Sequence, residues 1–176
     1  WTPVIACSGT AESLTMDISF NAVDGPPTAV CQDITVQLDA LGNATILPSD
    51  VDGGSSDAEG TVTLSLDNNT FSCADVGVTT TVTLTVTDSI GQTDSCVATI
   101  IVEDNVNPTI LVNSPYILQL DATGNAILTV ADLDNGTTDA CGIASITLSR
   151  DVFTCADLGG SVNINFVVLD QNGNLN

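Results

Sequence analysis

Val82-Thr83-Leu84-Thr85-Val86 and, shortly after it, Ala98-Thr99-Ile100-Ile101-Val102 are the stretches that decide the fold of this chain. In both, side chains suited to a core recur at every second position, which marks a β-strand with one face buried. Residues 34–38 and 62–66 follow the same rule, and turn signals rich in Gly, Asn and Asp separate the segments. No segment shows a convincing helical period. The sequence therefore predicts an all-β fold of short strands.

The chain also repeats itself at a constant offset of 82 residues. The first acidic motif, Asp50, Asp52, Gly54 and Asp57, returns as Asp132, Asp134, Gly136 and Asp139. The second motif, Phe71, Cys73, Asp75 and Gly77, returns as Phe153, Cys155, Asp157 and Gly159. A constant offset over most of a domain length indicates a tandem array of one folding unit. We expect two immunoglobulin-like β-sandwiches, because short strands at this spacing are typical of that architecture.

The repeats set the expected domain boundaries. We assign residues 1–26 to an N-terminal segment and hinge, 27–104 to repeat one, 105–108 to an acidic linker, and 109–176 to repeat two. Repeat one continues past Gly91 into a last strand at 96–102, whereas repeat two stops three residues after the matching Gly173. Repeat two is therefore expected to lack its last strand.

Residues 13–20 alternate as that missing strand would, and they precede a hinge. The apolar positions of this predicted donor strand are Leu14, Met16, Ile18 and Phe20. Two explanations remain open. The chain is a window cut from a longer array, or residues 10–22 of one molecule complete repeat two of the next. A sheet without its edge partner favours strand addition, and head-to-tail contact of this kind gives a filament.

Composition excludes several functions. The net charge is −21, with 22 acidic residues against a single Lys or Arg, so nucleic acid and anionic membrane surfaces are not expected partners. No apolar run is long enough for a transmembrane helix. The sequence has no His and no Lys, which removes the usual acid–base and phosphate-binding groups, and we predict no enzymatic activity. Six Cys without His predict disulfides and an extracellular or cell-surface location.

Three motifs resemble the repeats of large secreted surface proteins of Bacteroidota, including gliding-type adhesins and other cargo of the type IX secretion system. They are residues 31–39, Gly42-Asn43-Ala44, and residues 50–54; the segments 139–143 and 153–159 also fit. More distantly, the pattern is similar to the HYR group of immunoglobulin-like modules. The resemblance implies an exported β-sandwich in adhesive or structural fibres, and it implies no catalytic residues.

Cysteine positions depart from the four-per-repeat pattern of that family. Glu59 stands in the place of Cys141, and Asn113 in the place of Cys31. In an immunoglobulin-like sandwich the first and last strands start at the same pole, so Cys31 and Cys96 are expected to pair. Cys141 and Cys155 bracket one strand and are expected to pair as well. Cys7 and Cys73 remain, either as a pair or as free thiols.

The acidic turns are candidate calcium ligands. Calcium takes six to eight oxygens from carboxylates and carbonyls in a flexible loop, and the assumed sandwich places these turns near the hinge. The candidate ligands are Asp50, Asp52, Asp57, Asp88, Glu103, Asp104, Asn105, Asp132, Asp134, Asp139 and Asp170. Bound Ca²⁺ would stiffen the joint between repeats, and the hinge also loosely resembles the calcium linkers of cadherins. The alternative is a solvated turn capped by its own side chains.

These observations predict a structural or adhesive subunit, or a segment, of an extracellular bacterial surface filament. Its expected partners are copies of itself, surface glycans or other cells. The alternative from another class is a carbohydrate-binding accessory module of a secreted enzyme. Such a module presents an aromatic platform, and this sequence has one Trp, one Tyr and four Phe.

Overall fold

The computed structural model describes residues 23–176, and it is an all-β fold, as predicted. The strands of the first half are β1 Ile34–Gln37, β2 Asn43–Thr45, β3 Thr63–Leu66, β4 Thr70–Ser72, β5 Thr80–Thr87 and β6 Thr93–Glu103. Those of the second half are β7 Asn125–Ile127, β8 Ile143–Leu148, β9 Val152–Thr154 and β10 Phe166–Asp170. The helices in this part of the chain are single turns: α1 Pro48–Val51, α2 Val130–Leu133, and 3-10 turns at Cys73–Asp75 and Cys155–Asp157.

Repeat one is built around β6. This strand runs parallel to β1 on one side and antiparallel to β5 on the other, in a four-stranded sheet of order β1-β6-β5-β3. The inward side chains of β5 and β6 are at most 2% exposed. They pack against Leu38, Ile46, Val51 and Phe71, which form a second layer. A two-stranded sheet of β2 and β4 contributes to this layer. This arrangement fits a β-sandwich, and the strands predicted from alternation are present as β1, β3, β5 and β6.

Repeat two reproduces most of these elements at the predicted offset. β7, α2, β9 and the second 3-10 turn lie 82 residues after β2, α1, β4 and the first 3-10 turn. β10 matches only the second half of β5. Within residues 23–176, repeat two has no counterpart of β1 or of the body of β6. In repeat one, β1 and the first half of β5 take β6 as their ladder partner. Without such a partner, the corresponding residues of repeat two do not form strands, because their backbone groups have no ladder to join.

The structure corrects the alignment of the repeats ahead of β1. Val112 bridges to Asp134 as Cys31 bridges to Asp52, so the offset here is 81 residues and not 82. The expectation that Asn113 occupies the place of Cys31 is therefore wrong, and Val112 occupies it. Repeat two has one extra residue between this bridge and Leu120. The sequence comparison missed the insertion because no motif lies inside it.

The two repeats meet end to end across the linker. The Asn174 side chain donates to the carbonyls of Asp104 and Val106 at 3.0 and 3.2 Å, and the Asn176 side chain donates to Pro108 at 2.9 Å. Pro108 is fully buried. No helix within residues 23–176 is long and apolar enough to cross a membrane. Cys7 and the predicted donor strand, with Leu14, Met16, Ile18 and Phe20, lie outside the described residues.

Candidate functional site

An open groove of about 820 Å³, lined by both apolar and polar residues, runs along repeat two. Its walls come from both layers of the fold and include Leu118, Leu120, Leu128, Leu133, Phe153, Ile164 and Phe166. Beside it, residues 116–119 lie extended without a strand partner, and Ile117 is 83% exposed. The groove is therefore bordered by a backbone edge that has unused hydrogen-bonding groups.

The groove has the position that β6 fills in repeat one. Six of the seven named wall residues have buried counterparts in repeat one, namely Leu38, Ile46, Val51, Phe71, Val82 and Leu84, and the seventh counterpart, Val36, is half-buried. They pack in one cluster with Ala98, Ile100 and Val102 of β6. In repeat two, Leu120, Leu133, Ile164 and Phe166 are only half-buried. No strand within residues 23–176 occupies this position, so the groove is open to a strand with alternating apolar side chains.

A disulfide joins the two repeats. Cys73, in the 3-10 turn of repeat one, is bonded to Cys141 at the start of repeat two, with a Cα–Cα distance of 5.2 Å. The predicted Cys31–Cys96 disulfide is also present, with a Cα–Cα distance of 5.7 Å. One bond therefore closes repeat one, and the other ties repeat one to repeat two.

The predicted pairing of Cys141 with Cys155 is wrong, as is that of Cys7 with Cys73. Cys155 is exposed and forms no disulfide within residues 23–176. Cys141 lies just before β8 and Cys155 just after β9, so the six residues of β8, about 20 Å of strand, and all of β9 stand between them. A disulfide requires Cα atoms within about 7 Å. Proximity in sequence misled the prediction, because a tandem array brings the end of one repeat to the start of the next.

Four of the predicted calcium ligands accept hydrogen bonds from backbone N–H groups instead. Asp50 accepts from the Leu47 N–H at 2.7 Å, and Asp132 accepts from the Thr129 N–H at 2.8 Å, each holding the first turn of a helix. The other pair holds the following turns. Asp52 binds Ser55 and Asp134 binds Thr137, and these hydrogen bonds lower the pKa of both carboxyl groups. These carboxylates cap turns, which is the alternative stated above.

Glu103 and Asn105 form a side-chain network away from the acidic clusters. Gln37 donates to Glu103 at 2.7 Å, and Asn105 donates to Gln37 at 2.6 Å. All three residues are exposed. The network links the end of β1 to the linker, and Glu103 and Asn105 do not point to an ion site.

Of the remaining predicted ligands, Asp57, Asp104 and Asp139 lie in two clusters at the ends of the repeats. Carboxylate oxygens of Asp24, Asp57 and Glu59 lie within 4.8 Å of one another, with Asp88 beside them. In repeat two, one oxygen each of Asp104 and Asp139 and the Cys141 sulfur also lie within 4.8 Å of one another. Asp170 takes the position there that Asp88 has in repeat one, 82 residues earlier. Asp88, Asp104 and Asp170 are buried, at 5%, 6% and 1% exposure.

The sequence prediction missed Asp24 and Glu59 as members of the first cluster. Asp24 lies in the hinge before repeat one, and Asp104 lies directly before the linker to repeat two. Each hinge also carries a proline just before the repeat, Pro27 or Pro108. Treating both hinges as one repeated element would have placed Asp24 in the cluster.

No aromatic platform is present in the described part of the chain. Phe71 and Phe153 are buried, Phe166 lies in the groove, and Tyr116 is the one exposed aromatic side chain among residues 23–176. Tyr116 donates a hydrogen bond to Asp132 at 3.2 Å. Comparison with known proteins adds nothing to this picture, since no family model and no curated protein matches the chain.

Proposed function

We propose that this protein is a structural subunit of an extracellular bacterial filament built from immunoglobulin-like repeats. In it, residues 14–20 of one copy fill the groove of repeat two in the next copy. The observation that carries the proposal is this groove, which has the place and lining of the β6 site but holds no strand. The resemblance to adhesin repeats of Bacteroidota and the two disulfides agree with an exported fibre.

The apolar positions of the donor segment align with the buried positions of β6. At the offset of 82, Met16, Ile18 and Phe20 align with Ala98, Ile100 and Val102, which are the three buried side chains of β6. The donor carries larger apolar groups than Ala98 and Val102 at two of these three positions. Burial of apolar side chains contributes roughly 1.5–3 kcal/mol each, so three such anchors supply a substantial driving force.

Cysteine positions provide a second match between donor and groove. In repeat one, Cys31 next to β1 is bonded to Cys96 on β6. In repeat two the first partner is replaced by Val112, and in the donor segment the second is replaced by Leu14. Both members of the disulfide are thus exchanged for apolar residues. This paired replacement is expected if Leu14 lies beside Val112 in the assembled state.

Chain length requires the donor to come from another molecule. A donor that is seated like β6 ends at the pole of repeat two that faces away from repeat one. Thr28, in contrast, bridges to Ser56 at the pole of repeat one that faces away from repeat two. Residues 21–27 connect these points and span at most about 28 Å. Repeat one alone is roughly 36 Å long, because β6 has 11 residues. Because donor and acceptor surfaces differ, the contact propagates into a filament.

The test compares two substitutions that add the same charge to opposite faces of the donor. Ile18→Asp places a carboxylate in the groove, whereas Ser19→Asp places it on the outward face. With thiols alkylated, light scattering and electron microscopy should show filaments for the parent chain and for S19D. I18D and a chain lacking residues 1–22 should stay monomeric. Equal assembly of I18D and S19D, or no assembly of the parent chain, would overturn the proposal.

A further inference from the structure

The first acidic cluster contains more buried charge than its surroundings neutralise. Within the described residues, Asp24 Oδ1, Asp57 Oδ2 and Asp88 Oδ2 are all shielded from solvent and have no hydrogen-bond partner. Asp88 is only 5% exposed. Burial, together with repulsion from Asp57 and Asp88, raises the pKa of Asp24. Asp24, Asp57 and Glu59 thus bring carboxylate oxygens within 4.8 Å of one another, and the buried Asp88 carboxylate lies near enough to Asp24 to repel it.

No positive side chain of this chain neutralises the cluster. The sequence contains one basic residue, Arg150, and it is paired with Asp157 in repeat two at 2.6 Å. Leaving a buried charged oxygen unpartnered is strongly unfavourable. A bound cation removes this penalty.

We propose that Asp24, Asp57 and Glu59 bind a Ca²⁺ ion at the hinge before repeat one, with the buried carboxylate of Asp88 beside them. Calcium takes oxygen ligands at 2.3–2.6 Å, so two oxygens on opposite sides of one ion are about 5 Å apart. The ligand oxygens of Asp24, Asp57 and Glu59 lie within 4.8 Å of one another. Three or four carboxylates, with water or backbone oxygens added, suit the flexible shell of Ca²⁺ better than the strict octahedron of Mg²⁺.

The second cluster is a weaker version of the same site. Cys141 replaces Glu59 there, and its sulfur is committed to the disulfide. The Asn174 side chain donates to Asp170 Oδ2 at 2.8 Å, so the oxygen that is free in Asp88 is occupied in Asp170. Asp104 Oδ2 and Asn172 Oδ1 remain unpartnered. We therefore expect one tighter site, before repeat one, and one weaker site between the repeats.

Calcium at the first site would fix the hinge to repeat one. Asp24 belongs to the hinge, whereas Asp57 and Asp88 belong to repeat one, so one ion crosslinks the two. The Gln92 side chain already bonds to the Asp24 carbonyl at 3.1 Å. The inference does not depend on filament assembly, because all four carboxylates belong to one chain.

The test is calorimetric titration of CaCl₂ into the metal-stripped full chain, with Asp88→Asn as the main variant. Asn keeps the oxygen that accepts from the Ile90 and Gln92 N–H groups, so the turn is preserved. Asp170→Asn changes the corresponding position of the second cluster. Asp151→Asn removes an exposed carboxylate that makes no side-chain hydrogen bond in the structure and serves as the charge control.

We expect D88N to weaken the tighter site about tenfold or more, whereas D170N and D151N leave that site unchanged. Melting curves in chelator verify that each variant is folded, and light scattering of the same samples reports assembly separately. No saturable heat with the parent chain, or equal affinity of D88N and D151N, would overturn the site. Failure of filament formation alone would not affect it.

Discussion

At the scale of single residues, the acidic side chains of this protein divide into two groups. Asp50, Asp52 and their repeat-two counterparts hold backbone N–H groups in turns. Asp24, Asp57 and Asp88 each have one shielded oxygen without a hydrogen-bond partner among the described residues, although Asp88 also accepts from the Ile90 and Gln92 N–H groups through its other oxygen. Both groups read alike in sequence, because each occurs as Asp near Gly in a repeated turn. What separates them is the direction of the side chain, which the folded backbone sets.

Two equivalent glycines give a residue-scale prediction. Gly42 and Gly124 have φ angles of 74° and 80°, and a Cβ added to them would lie 2.6 Å from Cys73 Sγ and 2.5 Å from Cys155 Sγ. A left-handed Ala costs roughly 1–2 kcal/mol at either position. The Cys73 sulfur is held in a disulfide, whereas the Cys155 thiol can rotate away. Gly42→Ala should therefore lower the midpoint of urea unfolding more than Gly124→Ala; equal effects would contradict this.

At the scale of elements, β6 decides which other strands exist. Every residue of β1 and every residue of β5 has a partner on β6. Where repeat two lacks it, residues 116–119 are not a strand and β10 covers only the second half of the β5 counterpart. Local propensity is not sufficient here: Tyr116-Ile117-Leu118 suits a strand at least as well as Ile34-Thr35-Val36, but it has no partner.

Hydrogen exchange tests this dependence. In a chain lacking residues 1–22, amides at 116–119 and 162–165 should exchange much faster than their counterparts at 34–37 and 80–83, because only the latter bond to β6. In assembled full-length protein, the donor strand should protect residues 116–119 and 162–165 as β6 protects their repeat-one counterparts. The comparison is internal to each sample, so differences in global stability do not affect it. Equal protection of both sets in the truncated chain would contradict the open groove.

At the scale of the whole molecule, the Cys73–Cys141 disulfide and the hydrogen bonds of Asn174 and Asn176 hold the repeats end to end. A filament transmits its stiffness through such joints. The placement of a covalent bond between modules, and not only within them, limits bending at the linker.

The two disulfides should therefore have different effects on removal. In the monomeric I18D background, Cys73→Ser with Cys141→Ser should broaden the small-angle scattering profile beyond what one conformation can fit. As the matched control, Cys31→Ser with Cys96→Ser should keep that profile and lower the unfolding free energy by about 2–4 kcal/mol. A single rigid conformation in the first variant would show that the hydrogen bonds alone hold the joint.

Much of the fold follows from local rules in the sequence. Alternation predicted β1, β3, β5 and β6, and the constant offset predicted which elements recur. The candidate site followed only in part. Of the predicted ligands, Asp57, Asp104 and Asp139 lie in the two acidic clusters, with Asp88 beside the first, whereas Asp50, Asp52, Asp132 and Asp134 cap turns. The single-residue insertion before Leu120 was missed because it changes no motif.

What the sequence determined by itself was periodic: strand faces, turn positions, the repeat, and the excess of negative charge. These are properties of neighbouring residues, and the chain cannot form its sheets without them. What only the tertiary structure decided was the partnership of distant groups: Cys73 with Cys141, Asp24 with Asp57 and Asp88, and the wall residues of the groove with one another. Such partners meet because strands and linkers bring them together in space, and no spacing along the chain encodes that distance.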